Sequence, residues 1–167
     1  MQLPAVESLI DKMASELRQL IEQKSLANPA MVGIHTGGAW IAQALHQRLN
    51  LTQPLGLLDI SFYRDDFTQK GLHPSVKTSE LPFSTEDQNI ILVDDAIDSG
   101  RTIRAALNEL FDYGRPASVT LAALIDLPGR QLPIQADIIG QRLELPPHQR
   151  VKLTKAESMH LEITQVS

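Results

Sequence analysis

Ile90-Ile91-Leu92-Val93-Asp94-Asp95-Ala96-Ile97-Asp98-Ser99-Gly100-Arg101-Thr102 leads directly into an apolar-periodic run from Ile103 to Tyr113. Four consecutive large aliphatics, Ile90 to Val93, predict a strand buried on both faces. Asp94 and Asp95 limit that strand, because desolvating unpaired charge in the middle of a sheet is prohibitive. The pair therefore belongs at the strand's carboxyl end, which in an open α/β sheet borders the ligand crevice. Asp98 to Thr102 then bring backbone N–H groups, the Ser99 and Thr102 hydroxyls and the Arg101 guanidinium to a helix N-terminus. The first N–H groups of a helix lack internal partners and its dipole favours negative charge, so this is an anion cradle. Carboxylates suited to sugar hydroxyls or a divalent cation, beside a phosphate cradle, describe a pocket for a phosphorylated sugar. The plainer alternative is a strand–turn–helix with its acids solvated at the turn.

Upstream, Leu3, Val6, Leu9, Ile10, Met13, Leu17, Leu20 and Ile21 recur at steps of three and four, predicting an amphipathic helix. Met31 to Ile34 reads as a short buried strand, and His35-Thr36-Gly37-Gly38 leads from it into a helix over Ala39 to Leu49. Paired glycines after a strand allow close approach of a ligand to backbone amides. Leu55 to Tyr63 reads as a second long strand. Gln69 to Glu80 is polar and aperiodic, the composition of a long functional loop or of a solvated insertion. Arg64, Lys70 and Lys77 are its candidates to close over an anionic substrate.

Downstream, Gly114 and Pro116 stop the central helix. Ser118 to Ile125 is another buried strand, with Asp126 at its carboxyl end. From Leu127 the character changes to short β-like pieces at Asp137–Gly140, Val151–Leu153 and Met159–Thr164, the last strictly alternating. These read as a small subdomain over the sheet's carboxyl edge, where a base could be held. Strands alternating with helices imply a parallel sheet with right-handed crossovers. The expectation is a single α/β domain over 1–167, with a core over about 1–126 and a hood over about 127–167.

Composition sets the outer bounds. A chain of 167 residues with 43% hydrophobic content can bury one sizeable core. Cysteine is absent, which excludes disulfides and thiolate metal sites and suits the cytoplasm. No apolar run reaches the ~18 residues of a membrane span, and no signal peptide is visible. A formal charge of −5 disfavours nonspecific nucleic-acid affinity. The five histidines are scattered without metal-ligand spacing.

Asp94 to Thr102 resemble the phosphoribosyl-diphosphate (PRPP) motif of type I phosphoribosyltransferases: aliphatic strand, acidic pair, then Ser/Thr-Gly-basic-Thr. The longer matches at Val32–Gly38, Leu58–Thr68, Ile91–Pro116 and Arg130–Asp137 resemble the bifunctional pyrimidine-operon regulator and uracil phosphoribosyltransferase family. That resemblance implies transfer of a 5-phosphoribosyl group from PRPP to uracil, giving UMP and diphosphate with Mg²⁺. It implies that Asp94 and Asp95 hold the ribose hydroxyls, and the metal indirectly through those hydroxyls or water. It places the 5′-phosphate on the amides of Asp98 to Thr102, with the Ser99 and Thr102 hydroxyls adding donors, and counts Ala96, Ile97, Asp98, Ser99, Gly100, Arg101 and Thr102 among the PRPP- or UMP-binding residues. His35, Thr36, Gly37 and Gly38 would grip the diphosphate, with Arg64 or Lys77 arriving from the loop. Asp94, Asp95, Asp98 and Arg64 are the catalytic candidates, and Asp126 and Arg130 are the candidates for holding the base. A homo-oligomer is expected, with Trp40 or the first helix as interface candidates.

Three departures from the family pattern bear on function. Relatives usually carry Lys at the position of His35 and Arg at that of Gly37, so the diphosphate loop has lost two positive charges. Asp98 stands where uracil-using relatives have an uncharged residue and hypoxanthine-type enzymes an acid, which keeps a purine phosphoribosyltransferase open as an alternative. RNA-binding relatives have Thr and His on the first helix where this chain has Asp11 and Ser15, an exchange that repels phosphate and argues against RNA binding there. A catalytically weak nucleotide sensor is the remaining alternative. A phosphate-accepting signalling domain leaves Ser99 to Thr102 and Tyr63 to Asp66 unexplained.

Overall fold

The computed structural model describes residues 2–60 and 79–166. Its elements run α1 (Val6–Gln23), β1 (Ala30–Ile34), α2 (Gly37–Leu49), β2 (Gly56–Leu58), β3 (Asn89–Ile97), α3 (Arg101–Asp112), β4 (Ser118–Asp126), β5 (Ile138–Arg142), β6 (Gln149–Lys155) and β7 (Met159–Gln165). Five parallel strands form one sheet in the order β2-β1-β3-β4-β5, and β6 and β7 pair antiparallel apart from it. This is the parallel α/β architecture that alternating strands and helices imply.

The period of two along β3 divides the core. Ile91 and Val93 face α1 and α2, packing with Ile10, Met13, Ile41 and Leu45. Ile90 and Leu92 face the other way, against Ile103, Ala106 and Leu110 of α3. A strand covered on both faces must be apolar throughout, which explains the unbroken aliphatic run. α1 begins at Val6 rather than Leu3, because the residue before Pro4 is pushed out of the helical region.

Two expectations are revised. Of the long strand expected over Leu55 to Tyr63, β2 spans only Gly56–Leu58 among the described residues, and Ser61 to Tyr63 lie outside them. β1 offers it three partners, Val32, Gly33 and Ile34, while Leu57 exchanges both backbone bonds with Glu80 on its other side, at 2.7 and 2.8 Å. Ile138–Arg142, read as part of the covering subdomain, is the fifth strand of the main sheet, paired to β4 from Ala122–Ile138 to Asp126–Arg142. The β6–β7 hairpin is then the only sheet outside it among the described residues. Leu153, 7% exposed, anchors that hairpin in the core on the α1 side of the sheet.

Candidate active site

The strand order reverses direction between β1 and β3: the chain passes from β1 through α2 to β2 on one side, and from β3 through α3 to β4 on the other. Ligands of open α/β sheets bind where the order switches. β3 does not stop at the acidic pair as the sequence suggests. It continues to Ile97, paired in register with β4 from Asn89–Ser118 to Ile97–Asp126. Its pairing with β1 ends at Gly33–Val93. Beyond Val93 the strand is flanked on one side only, and that one-sided stretch carries Asp94 and Asp95. Carboxylates are tolerated in the ladder because the crevice opens beside them.

Each acid is oriented by the next backbone amide: Asp95 N–H donates to Asp94 Oδ1 and Ala96 N–H donates to Asp95 Oδ1, both at 2.8 Å. Asp94 is 5% exposed and Asp95 is half-buried. Across the switch point, the first turn of α2 lies against them. A Cβ on Gly37 would stand 2.8 Å from Asp95 Cγ and closer still to Oδ2, so only glycine lets the helix N-terminus and this carboxylate meet. His35 donates its backbone N–H to Leu58 O at 2.9 Å, and the His35–Thr36 peptide is cis. Thr36 precedes α2 and accepts from Ala39 N–H through its carbonyl at 3.2 Å. His35, Thr36, Gly37 and Gly38 are thus gathered at the crevice beside the acidic pair.

On the far side of the pair, Ile97 closes β3, Gly100 takes φ +95° as the N-cap of α3, and Arg101 and Thr102 open the helix, both exposed. The Ser99 hydroxyl accepts from Arg101 N–H at 3.2 Å. Asp98 is exposed and turns toward the segment after β4, where its Oδ1 accepts from Gly129 N–H at 3.1 Å. It also borders a cleft of about 480 Å³, whose opposite wall is Leu145, Pro146, Pro147 and Arg150 at the foot of the hairpin. Those four residues went unnoticed in the sequence. The Pro146-Pro147 pair signals a turn, but nothing local reveals that the turn faces Asp98.

Asp126 and Arg130 come together as an ion pair, with Asp126 Oδ1 taking the Arg130 Nη2 donor and Oδ2 lying 3.4 Å from Arg142 Nε. Arg64, Lys70 and Lys77 lie outside the described residues. Among the described residues no group of three or more His, Asp or Glu could cage a metal ion. The acidic pair nevertheless fits Mg²⁺, which binds through one or two carboxylates while keeping waters and substrate phosphates as its other ligands.

Residues 2–149 match the phosphoribosyl transferase domain family. The chain belongs to that family. Within it, the chain is 53% identical over 167 residues to the "Bifunctional protein PyrR" of Pseudomonas syringae pv. tomato, covering 100% of this chain and 98% of that one. It is 56% identical over 162 residues to the protein of the same name from Pseudomonas aeruginosa, covering 97% and 95%. It is therefore a phosphoribosyltransferase of the PyrR family. Among solved structures, the hypoxanthine phosphoribosyltransferase of Trypanosoma cruzi superposes with a TM-score of 0.66 at 22% identity, covering 84% of this chain and 74% of that one. That of Staphylococcus aureus gives 0.64 at 21% identity, over 88% and 78%. These two share the fold of this phosphoribosyltransferase.

Proposed function

We propose that this phosphoribosyltransferase joins uracil to the 5-phosphoribosyl group of PRPP, releasing diphosphate and forming UMP. The observation that carries the reading is the juxtaposition at the switch point: an acidic pair between two helix N-termini. One N-terminus, at Gly37 and Gly38, receives the diphosphate, and the other, at Ser99 to Thr102, receives the 5′-phosphate. Asp94 and Asp95, already oriented by backbone amides, accept the ribose hydroxyls and offer negative charge to a ring that becomes oxocarbenium-like as the diphosphate leaves. Asp94 and Asp95 would hold Mg²⁺ indirectly, and when bound it would supply Lewis-acid stabilisation of the leaving diphosphate. The protein's contribution is positioning and preorganised charge rather than covalent chemistry. His35, Thr36, Gly37 and Gly38 give the diphosphate mainly backbone donors, and Arg64 and Lys77 are the cations we assign to its outer side.

The base enters the cleft between Asp98 and the hairpin, where Pro146 and Pro147 supply a flat apolar wall. Asp98 at that wall favours a purine as the competing substrate. Rates with uracil and with hypoxanthine, at saturating PRPP and Mg²⁺, decide between them: UMP formation is expected, and conversion of hypoxanthine alone would sink the uracil reading. A folded protein that binds UMP without turnover would instead be a sensor.

Control of pyrimidine-biosynthesis genes and a cytoplasmic location belong to the same proposal. RNA contact is not placed on the α1–α2 face. There Arg48 donates to Asp11 Oδ1 at 2.7 Å and to Glu7 Oε2, so the acids already hold this cation. Self-association is also part of the reading, and molar mass in solution tests it. Trp40 is half-buried within its own chain, with Lys155 Nζ 5.9 Å from its ring centroid.

A further inference from the structure

We propose that Arg130 is a positioning residue for the phosphate loop, holding Asp98 to Gly100 from behind so that their amides face the 5′-phosphate. The inference deepens the reading of that loop as the 5′-phosphate cradle and rests on it.

The argument starts from peptide geometry. In a trans peptide the C=O of one residue and the N–H of the next point in opposite directions. Anchoring the carbonyls of Asp98 and Ser99 on one side therefore turns the N–H groups of Ser99 and Gly100 to the other. Arg130 and its neighbours perform that anchoring. Arg130 Nη1 donates to the Asp98 carbonyl at 2.7 Å. Gln131 N–H and Leu132 N–H both donate to the Ser99 carbonyl, at 2.9 and 3.2 Å. Gln131 Oε1 accepts from Arg101 Nε at 2.9 Å, and Gly129 N–H reaches Asp98 Oδ1 at 3.1 Å. Four consecutive residues after β4 thus each bond to the loop. A Cβ on Gly129 would be 3.1 Å from Asp98 Cγ and closer to Oδ1, so the two segments run in contact.

Arg130 is the joint of this strut. Besides the Asp98 carbonyl, Nη1 donates to the Leu127 carbonyl at 3.0 Å, and Nη2 is paired with Asp126 at the end of β4. One planar fork ties the rigid strand end, the strut and the loop together, a geometry that a single ammonium does not reproduce. These bonds engage both terminal nitrogens of the guanidinium, and Arg130 is not part of the lining of the cleft between Asp98 and the hairpin, whose wall on this side is Leu127, Pro128 and Gly129. Arg130 therefore acts on the phosphate through the loop and does not touch the base.

Ribose 5-phosphate, which carries the sugar and its phosphate but neither base nor diphosphate, isolates this role. Its affinity is measured by calorimetry for the wild type, Arg130→Gln and Arg130→Lys, beside initial rates with PRPP and uracil. Arg130→Lys keeps the charge opposite Asp126 and so guards against loss of the fold. Both variants are expected to bind ribose 5-phosphate about tenfold more weakly and to raise KM for PRPP similarly. KM for uracil and kcat at saturating PRPP should change less than threefold. A raised KM for uracil with unchanged ribose 5-phosphate affinity would overturn the proposal and make Arg130 a base contact. Hydrogen exchange of the Ser99 and Gly100 amides in the ligand-free protein tests the strut without any ligand: at least tenfold faster exchange in Arg130→Gln is expected, and unchanged exchange rejects it. If the wild type itself does not bind ribose 5-phosphate, the cradle reading falls, and the exchange comparison still decides the positioning claim.

Discussion

β3 and β4 lie side by side in register, and both carry carboxylates toward the same edge of the sheet, yet the two strand ends are built differently. Asp94 and Asp95 are oriented by the amides of the residues that follow them. Asp126 is gripped by Arg130 and approached by Arg142. The contrast follows from what flanks each strand. β3 loses β1 as a neighbour after Val93, which opens a crevice beside the acidic pair. β4 keeps a partner on both sides to its end, Ile97 pairing with Asp126 on one and Arg142 on the other. Asp126, enclosed by two strands, is compensated by arginines, whereas Asp95, half-buried at the crevice, is within reach of a ligand. A carboxylate at a strand's carboxyl end is therefore not by itself a ligand group. The number of flanking strands separates the two cases.

The largest expected effect follows from removing the two charges at the crevice. The double change Asp94→Asn/Asp95→Asn should lower UMP formation by about a thousandfold, in line with the loss of preorganised charge at a reacting centre. Thermal unfolding should move little, because the amides keep oxygen acceptors. A matching loss of stability with modest loss of turnover would break the distinction between the two strand ends.

Asp126→Asn is the reverse case. It leaves Arg130, whose side chain is only 22% exposed, without its charge partner. The expected cost is about 2 kcal/mol in unfolding free energy, below the range for a fully buried pair because both groups keep some solvent. Turnover at saturating PRPP should stay within about threefold of wild type. Denaturant titration beside steady-state rates checks both, and a thousandfold loss of turnover here would make Asp126 a ligand carboxylate after all.

Much of this arrangement was legible in the sequence, for reasons particular residues make plain. The aliphatic run Ile90 to Val93 states that β3 is covered on both faces, and its two halves do divide between the two helical layers. The proximity of the acidic pair to Ser99–Thr102 is written in nine residues of chain, Asp94 to Thr102, so no tertiary knowledge is needed to see it. The limits are equally specific. Where β1 stops relative to β3 is a property of register between strands some sixty residues apart, and no local pattern encodes it. β2 is as short as its pairing with β1, which ends at Ile34–Leu58, and the bridge from Leu57 to Glu80 is made across a long connection. Arg130 reads as one more basic residue in a turn, and the Asp98 carbonyl it holds lies on a segment that only the folded chain brings to it.

Gly37→Ala sharpens the crevice side of the comparison at smaller scale. The added methyl would overlap the Asp95 carboxylate, which must swing away from the first turn of α2. KM for PRPP should rise about tenfold, or about 1.4 kcal/mol of binding, while the helix gains slightly in propensity. Unchanged PRPP kinetics would mean that Asp95 need not keep its contact with the helix N-terminus.

The smallest effect belongs to a cation held wholly outside the site. Arg48 on α2 donates to Asp11 at 2.7 Å, pairs with Glu7, and accepts Arg18 Nη2 at its carbonyl at 2.9 Å. The bond to Asp11 raises its pKa above the ordinary guanidinium value, burial works against this, and Glu7 adds to the rise. A raised pKa on a cation stabilises the fold at every pH below the unfolded value, so this clamp gives no pH dependence from the arginine between pH 5 and 9. Arg48→Ala should therefore lower stability by about 1 kcal/mol at low ionic strength, less in high salt, with kcat and both KM values unchanged. Salt should narrow the gap between wild type and variant, because the acids are 58% and 71% exposed. If the gap persisted in high salt, the contribution of Arg48 would be packing of its stem between α1 and α2 rather than charge. If PRPP kinetics moved as well, α2 would be transmitting strain from its carboxyl end to the diphosphate loop at its start, and the separation between the clamp and the crevice would fail.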